Sequence, residues 1–227
     1  EGAEVVVCDL HQTDVDRALE LLSLPVERVL GVRADVTGEE DVRSLFHSIK
    51  GKFDALDILV NNAGFAWPRE GPIDLEVADT PFQVWLKVLN TNLTGTFLCS
   101  REALKLMRQQ RSGTIINISS PQGKRGRALR GPYCAAKFGV EGLTQVMSLE
   151  NSAYNVRVNA LDPGGIVATE AIRNIAGNKG KRMFSPEVVR AGAVYLASDE
   201  SIGVTGRSFV CSEWNEQHGI PLPYMIA

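Results

Sequence analysis

Short apolar runs of three to five residues alternate along the chain with longer segments whose apolar positions return every three or four residues. The short runs read as strands buried on both faces, and the longer segments as amphipathic helices laid over them. Strands are predicted at Glu4–Cys8, Arg28–Val32, Ile58–Val60, Thr114–Ile118, Arg157–Leu161 and Ser208–Cys211, with helices between them. Repeated strand–helix units of this kind build an α/β fold, a parallel sheet covered by helices on both faces. Thr37 with Glu40 has the spacing of a capping box, while Thr80-Pro81 with Gln83, and Ser185-Pro186, place proline at a first helical position. No linker and no internal repeat divides the chain, so residues 1–227 read as one domain.

Composition narrows the function classes. The 227 residues are 44% hydrophobic, enough for one sizeable core. A net charge of −3 gives no overall attraction to nucleic acid or to an anionic membrane, and no apolar run approaches the length of a membrane span. The expected partner is therefore a small molecule. Cys8, Cys99, Cys134 and Cys211 are scattered singly, which suits a reducing cytoplasm. His11, His47 and His218 lack ligand spacing, so no metal is expected. Lys124, Arg125, Arg127 and Arg130 form a basic cluster without interleaved aromatics and read as a solvated loop. Trp85 and Trp214 read as core or interface, and Trp67 as a wall for a substrate pocket.

The candidate chemistry lies in Tyr133-Cys134-Ala135-Ala136-Lys137, with Ser120 thirteen residues upstream. A helix places Tyr133 and Lys137 on one face. A phenol of ordinary pKa, near 10, is a poor base at pH 7, and a neighbouring ammonium favours its ionised form. A serine hydroxyl nearby would hold a substrate oxygen within reach. Tyr and Lys at this spacing also arise by chance on surface helices, so the pair needs support from the rest of the chain.

That support is an ordered set of motifs, each following a predicted strand or opening a helix: Asn61-Asn62-Ala63-Gly64, Asn92-Leu93-Thr94-Gly95, Asn117-Ile118-Ser119-Ser120 and Asp162-Pro163-Gly164. With Tyr133 and Lys137 they resemble the short-chain dehydrogenase/reductase family, from Glu4 to about Gly206. The resemblance implies a Rossmann-like, doubly wound, three-layer α/β/α fold and hydride transfer between NAD(H) and a secondary alcohol or ketone. It implies Tyr133 as general acid/base, Lys137 lowering its pKa and holding the nicotinamide ribose, Ser120 positioning the substrate oxygen, and Asn92 holding a water that links Lys137 to solvent. It assigns cofactor contacts to Asp35, Val36, Asn61, Ala63, Gly64, Pro163, Gly164 and Ile166. Homodimers or homotetramers are common in the family, and the helices around Thr94–Met107 and Ala135–Leu149 are candidates for the interface. Two departures stand out. Ala168 occupies the place of a family threonine, with Thr169 one later, and the family's Asp-Gly-Gly close is replaced by Cys211-Ser212-Glu213-Trp214. Residues 169–184 occupy the place of the substrate loop, so the sequence does not name the substrate.

Asp9 carries the cofactor argument further. In a dinucleotide-binding βαβ unit, an acidic residue about 20 positions after a glycine-rich turn accepts the adenosine ribose hydroxyls. Asp9 fits that role, and no lysine or arginine follows it until Arg17, so NAD is expected in preference to NADP. Its glycine turn would then fall before Glu1, together with the central first strand. Losing a strand of five or six buried residues removes on the order of 10 kcal/mol, comparable to a domain's whole stability. The 227 residues alone are accordingly expected to be a fragment that neither folds stably nor turns over. The competing reading is a non-catalytic nucleotide-sensing or interaction protein on the same fold, or an inactive shortened product. A binding module has no need to keep Asn92, Ser120, Tyr133 and Lys137 in one register.

Overall fold

The computed structural model describes residues 2–66, 74–173 and 180–226, with no account of the Ala171 side chain. Trp67 therefore lies outside the described residues.

Alternating strands and helices give parallel pairing throughout the main sheet. Strand β1 (Val5–Asp9) pairs with β2 (Val29–Arg33), from Val5 opposite Val29 to Asp9 opposite Arg33, and α1 (Gln12–Leu22) is the crossover. Helix α2 (Glu39–Lys52) leads on to β3 (Ile58–Asn61). Helices α3 (Phe82–Leu89) and α4 (Gly95–Gln110) join through a π-turn over Asn90–Thr94 and lead to β4 (Gly113–Ile118). Helix α5 (Gly131–Asn151) precedes β5 (Val156–Asp162), followed by α6 (Glu170–Arg173), β6 (Arg182–Phe184), α7 (Arg190–Ala197), β7 (Ser208–Val210), α8 (Cys211–Gln217) and β8 (Tyr224–Ile226). A four-stranded parallel sheet runs β3-β4-β5-β7 beside the two-stranded sheet β1-β2, while β6 and β8 form a small antiparallel pair.

Two cores cover the faces of the sheet. On one side α2, α4 and α5 bury Phe46, Met107 and Met147 against Ile115 and Val158. On the other, α7 and α8 bury Leu196 and Cys211 against Ile116 and Leu161. Adjacent residues of β4, Ile115 and Ile116, thus point to opposite cores, as the period of two requires. Helix α1 sits on Gly31, where a Cβ would lie 2.6 Å from a Val15 methyl carbon and 2.8 Å from a Leu19 methyl carbon. Val6 and Cys8 of β1 and Leu59 of β3 pack on the same core, yet no described strand pairs the two edges between them. Ile58 and Val60 on the outer face of β3 are 39% and 46% exposed.

Several expectations change. All six predicted strands have at least one end off by one residue, and Cys211 opens α8 instead of closing a strand. Thr37 and Glu40 form no capping box: α2 starts at Glu39 behind Gly38, and the Thr37 hydroxyl donates to Asp35 at 2.7 Å. Glu39, Glu40 and Asp41 in the first turn, with Lys50 and Lys52 in the last, complement the helix dipole there. Pro81 is the N-cap of α3 and not its first helical residue, while Thr80 donates back to the Glu76 carbonyl. Ser185-Pro186 does cap as expected, its hydroxyl accepting the Glu187 N–H at the turn that leads into α7. Strands β6 and β8 have no periodic signal long enough to be read from sequence.

Ile116 is fully buried in the second core. Truncation to alanine removes three carbons with little room for collapse, so Ile116→Ala should cost about 2–5 kcal/mol in urea unfolding.

Candidate active site

Helix α5 begins over the carboxyl ends of β4 and β5, and its first turns carry Tyr133 and Lys137. Tyr133 and Lys137 share one face, with the Lys137 ammonium 5.6 Å from the centre of the phenol ring. Lys137 is 5% exposed and donates to the Ile118 carbonyl at 2.7 Å, at the last residue of β4. Two residues on, Ser120 ends an extended segment and its hydroxyl accepts the Gln122 N–H. Strand end and helix start therefore hold Ser120, Tyr133 and Lys137 together. Asn92 reaches the same place from the π-turn. Its amide donates to the carbonyls of Phe65 (2.9 Å) and Val88 (3.0 Å), and its own carbonyl oxygen is buried without a partner. A Cβ on Gly64 would fall 2.4 Å from that oxygen and 3.8 Å from the Lys137 ammonium. Gly64 is thus a wall of the site in which only hydrogen fits.

Burial dominates the electrostatics. Desolvation pulls Lys137 down to about 8, with Glu141 and Asp162 pulling the other way. At pH 7 the ammonium still predominates. The Tyr133 phenol is raised above its ordinary value, first by desolvation and then by the Asp162 carboxylate and Cys134, while the adjacent Ser120 hydroxyl lowers it. The lowering expected of Lys137 does not act on the phenol: the ammonium is turned toward the Ile118 carbonyl, and burial sets the direction.

The remaining predicted residues divide by where their polar groups point. Asn61 is drawn inward, donating to Ser100 (2.9 Å) and to Asn117 (2.8 Å), whose amide in turn donates to Thr144. Its side chain ties β3, α4, β4 and α5 together, so a ligand at this strand end would meet backbone. Ala63 and Gly64 are exposed there. The Asp35 carboxylate accepts the Thr37 N–H and hydroxyl, a turn cap, and Val36 packs at the edge of the first core within reach of Gly95. Asp9 is exposed at the carboxyl end of β1, accepting the His11 N–H. Pro163 and Gly164 form the turn after β5, with Gly164 at φ +86°, where any side chain would also meet Ser212. Ile166 is 46% exposed beside them. Thr169 sets the start of α6, its carbonyl accepting the N–H groups of Ile172 and Arg173, and Ala168 is buried.

Two features escaped the sequence reading. The basic loop is only partly solvated: Lys124 pairs with the buried Asp162 at 3.3 Å and the buried Arg130 pairs with Asp74, whereas Arg125 and Arg127 are exposed. Asp162 stands 1% exposed, close enough to Tyr133 and Lys137 to act on the charge of both. An acidic residue ending a buried strand was the available signal. Among the described residues no group of three His, Cys, Asp or Glu is arranged to hold a metal, and no helix is long and apolar enough to cross a membrane.

A parallel α/β sheet thus carries Ser120, Tyr133 and Lys137 together at its carboxyl edge, the arrangement that the resemblance implies. Residues 1–179 match the short chain dehydrogenase family, and the chain belongs to it. It is 37% identical over 219 residues to a cis-4-hydroxycyclohexanecarboxylate dehydrogenase from Sinomonas cyclohexanicum, a match spanning 90% of this chain and 83% of that one. Among solved structures it resembles a proposed gluconate dehydrogenase from Agrobacterium tumefaciens, with a TM-score of 0.80, 27% identity and coverage of 92% and 84% of the two chains. ElxO with NADPH bound superposes with a TM-score of 0.77 at 28% identity, covering 92% and 86%. The protein is an NAD(P)-dependent oxidoreductase that transfers a hydride between the cofactor and a small alcohol or ketone.

Gly64→Ala should displace Asn92 and disturb Lys137 behind it. Turnover is expected to fall at least tenfold for a stability cost of about 1–3 kcal/mol, the range for forcing atoms into a packed site; steady-state kinetics and thermal unfolding of the same preparation separate the two effects.

Proposed function

We propose that the protein oxidises or reduces a small secondary alcohol or ketone with Tyr133 as general acid/base, Ser120 positioning the substrate oxygen, and Lys137 and Asn92 forming the proton route behind the phenol. The observation that carries this reading is the Lys137 ammonium, buried one helical turn from Tyr133 and anchored on the strand end that presents Ser120. The cofactor supplies the hydride when bound. A phenol held above its ordinary value is protonated at pH 7, the form that donates to a carbonyl oxygen; in the reverse direction it must first lose that proton. The orphaned Asn92 oxygen, buried against Gly64, is the one acceptor of its amide left without a partner, and a water donating to it from another side would continue the route from Lys137.

The residues fit a dinucleotide laid across the carboxyl edge of the sheet. Exposed Asp9 would accept ribose hydroxyls, Asp35-Val36 would meet the adenine, the backbone of Asn61, Ala63 and Gly64 would border the nearer ribose, and Pro163, Gly164 and Ile166 would flank the nicotinamide. NAD is favoured over NADP because Asp9 repels a 2′-phosphate, and Arg17, the next cation along the chain, is exposed and already lies 3.9 Å from Glu170. The unpaired edges of β1 and β3 over one core support a further parallel strand between them, which would carry the family's glycine-rich turn. Exposed Phe97 on α4 with Phe138, Val146 and Leu149 on α5 supports a homo-oligomer built on these helices. Four free thiols suit a reducing cytoplasm.

In the full protein, assayed first with cis-4-hydroxycyclohexanecarboxylate and then with other secondary alcohols, Tyr133→Phe should lower turnover by about 10²–10⁴-fold, the usual contribution of a general acid/base, while cofactor fluorescence titration stays unchanged. Wild-type oxidation should rise from pH 7 toward 10 as the phenol ionises, and ketone reduction should fall. Unaltered turnover in Tyr133→Phe would exclude the assignment. For the cofactor, kcat/KM with NAD should exceed that with NADP at least tenfold, and Asp9→Asn should narrow the gap; an NADP preference in the wild type would overturn it.

A further inference from the structure

Asp162 is a carboxylate that hydride transfer does not require, yet it is 1% exposed and close enough to Tyr133 and Lys137 to act on the charge of both. One of its oxygens accepts the Gly164 N–H at 2.8 Å, which shapes the turn after β5. The other accepts from the Lys124 ammonium at 3.3 Å, across from the loop that follows Ser120. Lys124 itself closes the short turn Pro121–Gly123, its N–H donating to the Pro121 carbonyl. The ion pair therefore spans the site between the segment that presents Ser120 and the turn Pro163-Gly164.

We propose that Asp162 and Lys124 are paired positioning residues that strap the Ser120 loop to the Pro163-Gly164 turn and set how readily the Tyr133 phenol ionises. The proposal rests on Tyr133 being the acid/base. A buried carboxylate beside a phenol opposes formation of a second negative charge, and its ammonium partner offsets that opposition. The charged and titratable surroundings are few. Cys134, Lys137 and Glu141 lie on α5 itself, with Glu141 accepting from the Ser119 and Ser208 hydroxyls. Cys211 comes from α8 beside Asp162, its thiol pushed up to about 12 and hence neutral. Arg130, paired with Asp74, lines with Tyr133 a small cavity of about 30 Å³. Within this set, Asp162 adds to the burial that raises the phenol and supports the charge on Lys137. Burial also raises Asp162, while the Gly164 N–H and Lys124 draw it back down.

Neutralising each partner should move the phenol in opposite directions. Tyrosine labelled with ¹³C at Cζ in the full protein gives resolved resonances that include those of Tyr133, Tyr154, Tyr195 and Tyr224, and Tyr133→Phe identifies that of Tyr133. At pH 10, Asp162→Asn should raise the phenolate-to-phenol ratio of Tyr133 about three- to tenfold, and Lys124→Gln should lower it by a similar factor. The double variant should return near the wild-type ratio. A merely structural pair would move all three variants the same way or not at all, and a Tyr133 titration identical in the wild type and Lys124→Gln would overturn the proposal. Lys124 is partly exposed, so its variant decides the question even where Asp162→Asn fails to fold. Retained turnover in Tyr133→Phe would instead sink the acid/base assignment and leave the titration result standing as a statement about the pair.

Discussion

The site depends on one buried hydrogen bond, from the Lys137 ammonium to the Ile118 carbonyl. An ammonium removed from water is costly unless partnered, and the last carbonyl of a parallel strand is an acceptor that the ladder leaves available. This contact fixes the first turns of α5 over the end of β4. Tyr133 lies one turn before it on the helix, and Ser120 two residues beyond Ile118 on the chain. A lysine moved by one position along α5 would point elsewhere and leave both the carbonyl and the phenol without it.

The frame around that contact is tied by a chain of small polar groups. Ser100, Asn61, Asn117 and Thr144 link α4, β3, β4 and α5 through amide and hydroxyl bonds of 2.8–2.9 Å. Each is buried and satisfied, so the network adds geometric definition that aliphatic packing lacks. It also gives Asn61 a structural role within a motif that reads, by position, as a ligand site. The π-turn at Asn90–Thr94 serves a related end: the extra residue in the turn coincides with the point where Asn92 faces the site.

Much of the architecture was legible in the chain because it depends on local period. Apolar runs such as Thr114–Ile118 are buried on both faces, and a residue shift at their ends does not alter which sheet they join. The Tyr133–Lys137 spacing was legible for the same reason, since a helix of any orientation puts the two on one face. Capping was read less well. Thr37 has the spacing of a capping box, but the Asp35 carboxylate accepts the Thr37 N–H that Glu40 would otherwise take, and such competition between side chains has no sequence signature. Strands β6 and β8 were missed because their pairing joins residues 182–184 to 224–226, a contact held by Phe184 stacked on Tyr224 at 5.0 Å and invisible to any local window.

From its sequence alone this protein could be placed in the α/β class and Tyr133 and Lys137 set on one helical face, because periodicity and spacing act over a few residues; Ser120 and Asn92 joined that pair only through the resemblance to the family. Tertiary structure decided the electrostatics. Whether the phenol of Tyr133 stands above or below its ordinary value depends on how deeply it is buried, on which carbonyl attracts Lys137, and on a carboxylate arriving from β5 with a lysine from another loop. Those are distances through space between residues far apart along the chain, and burial and Coulomb interactions depend on space, not on sequence separation.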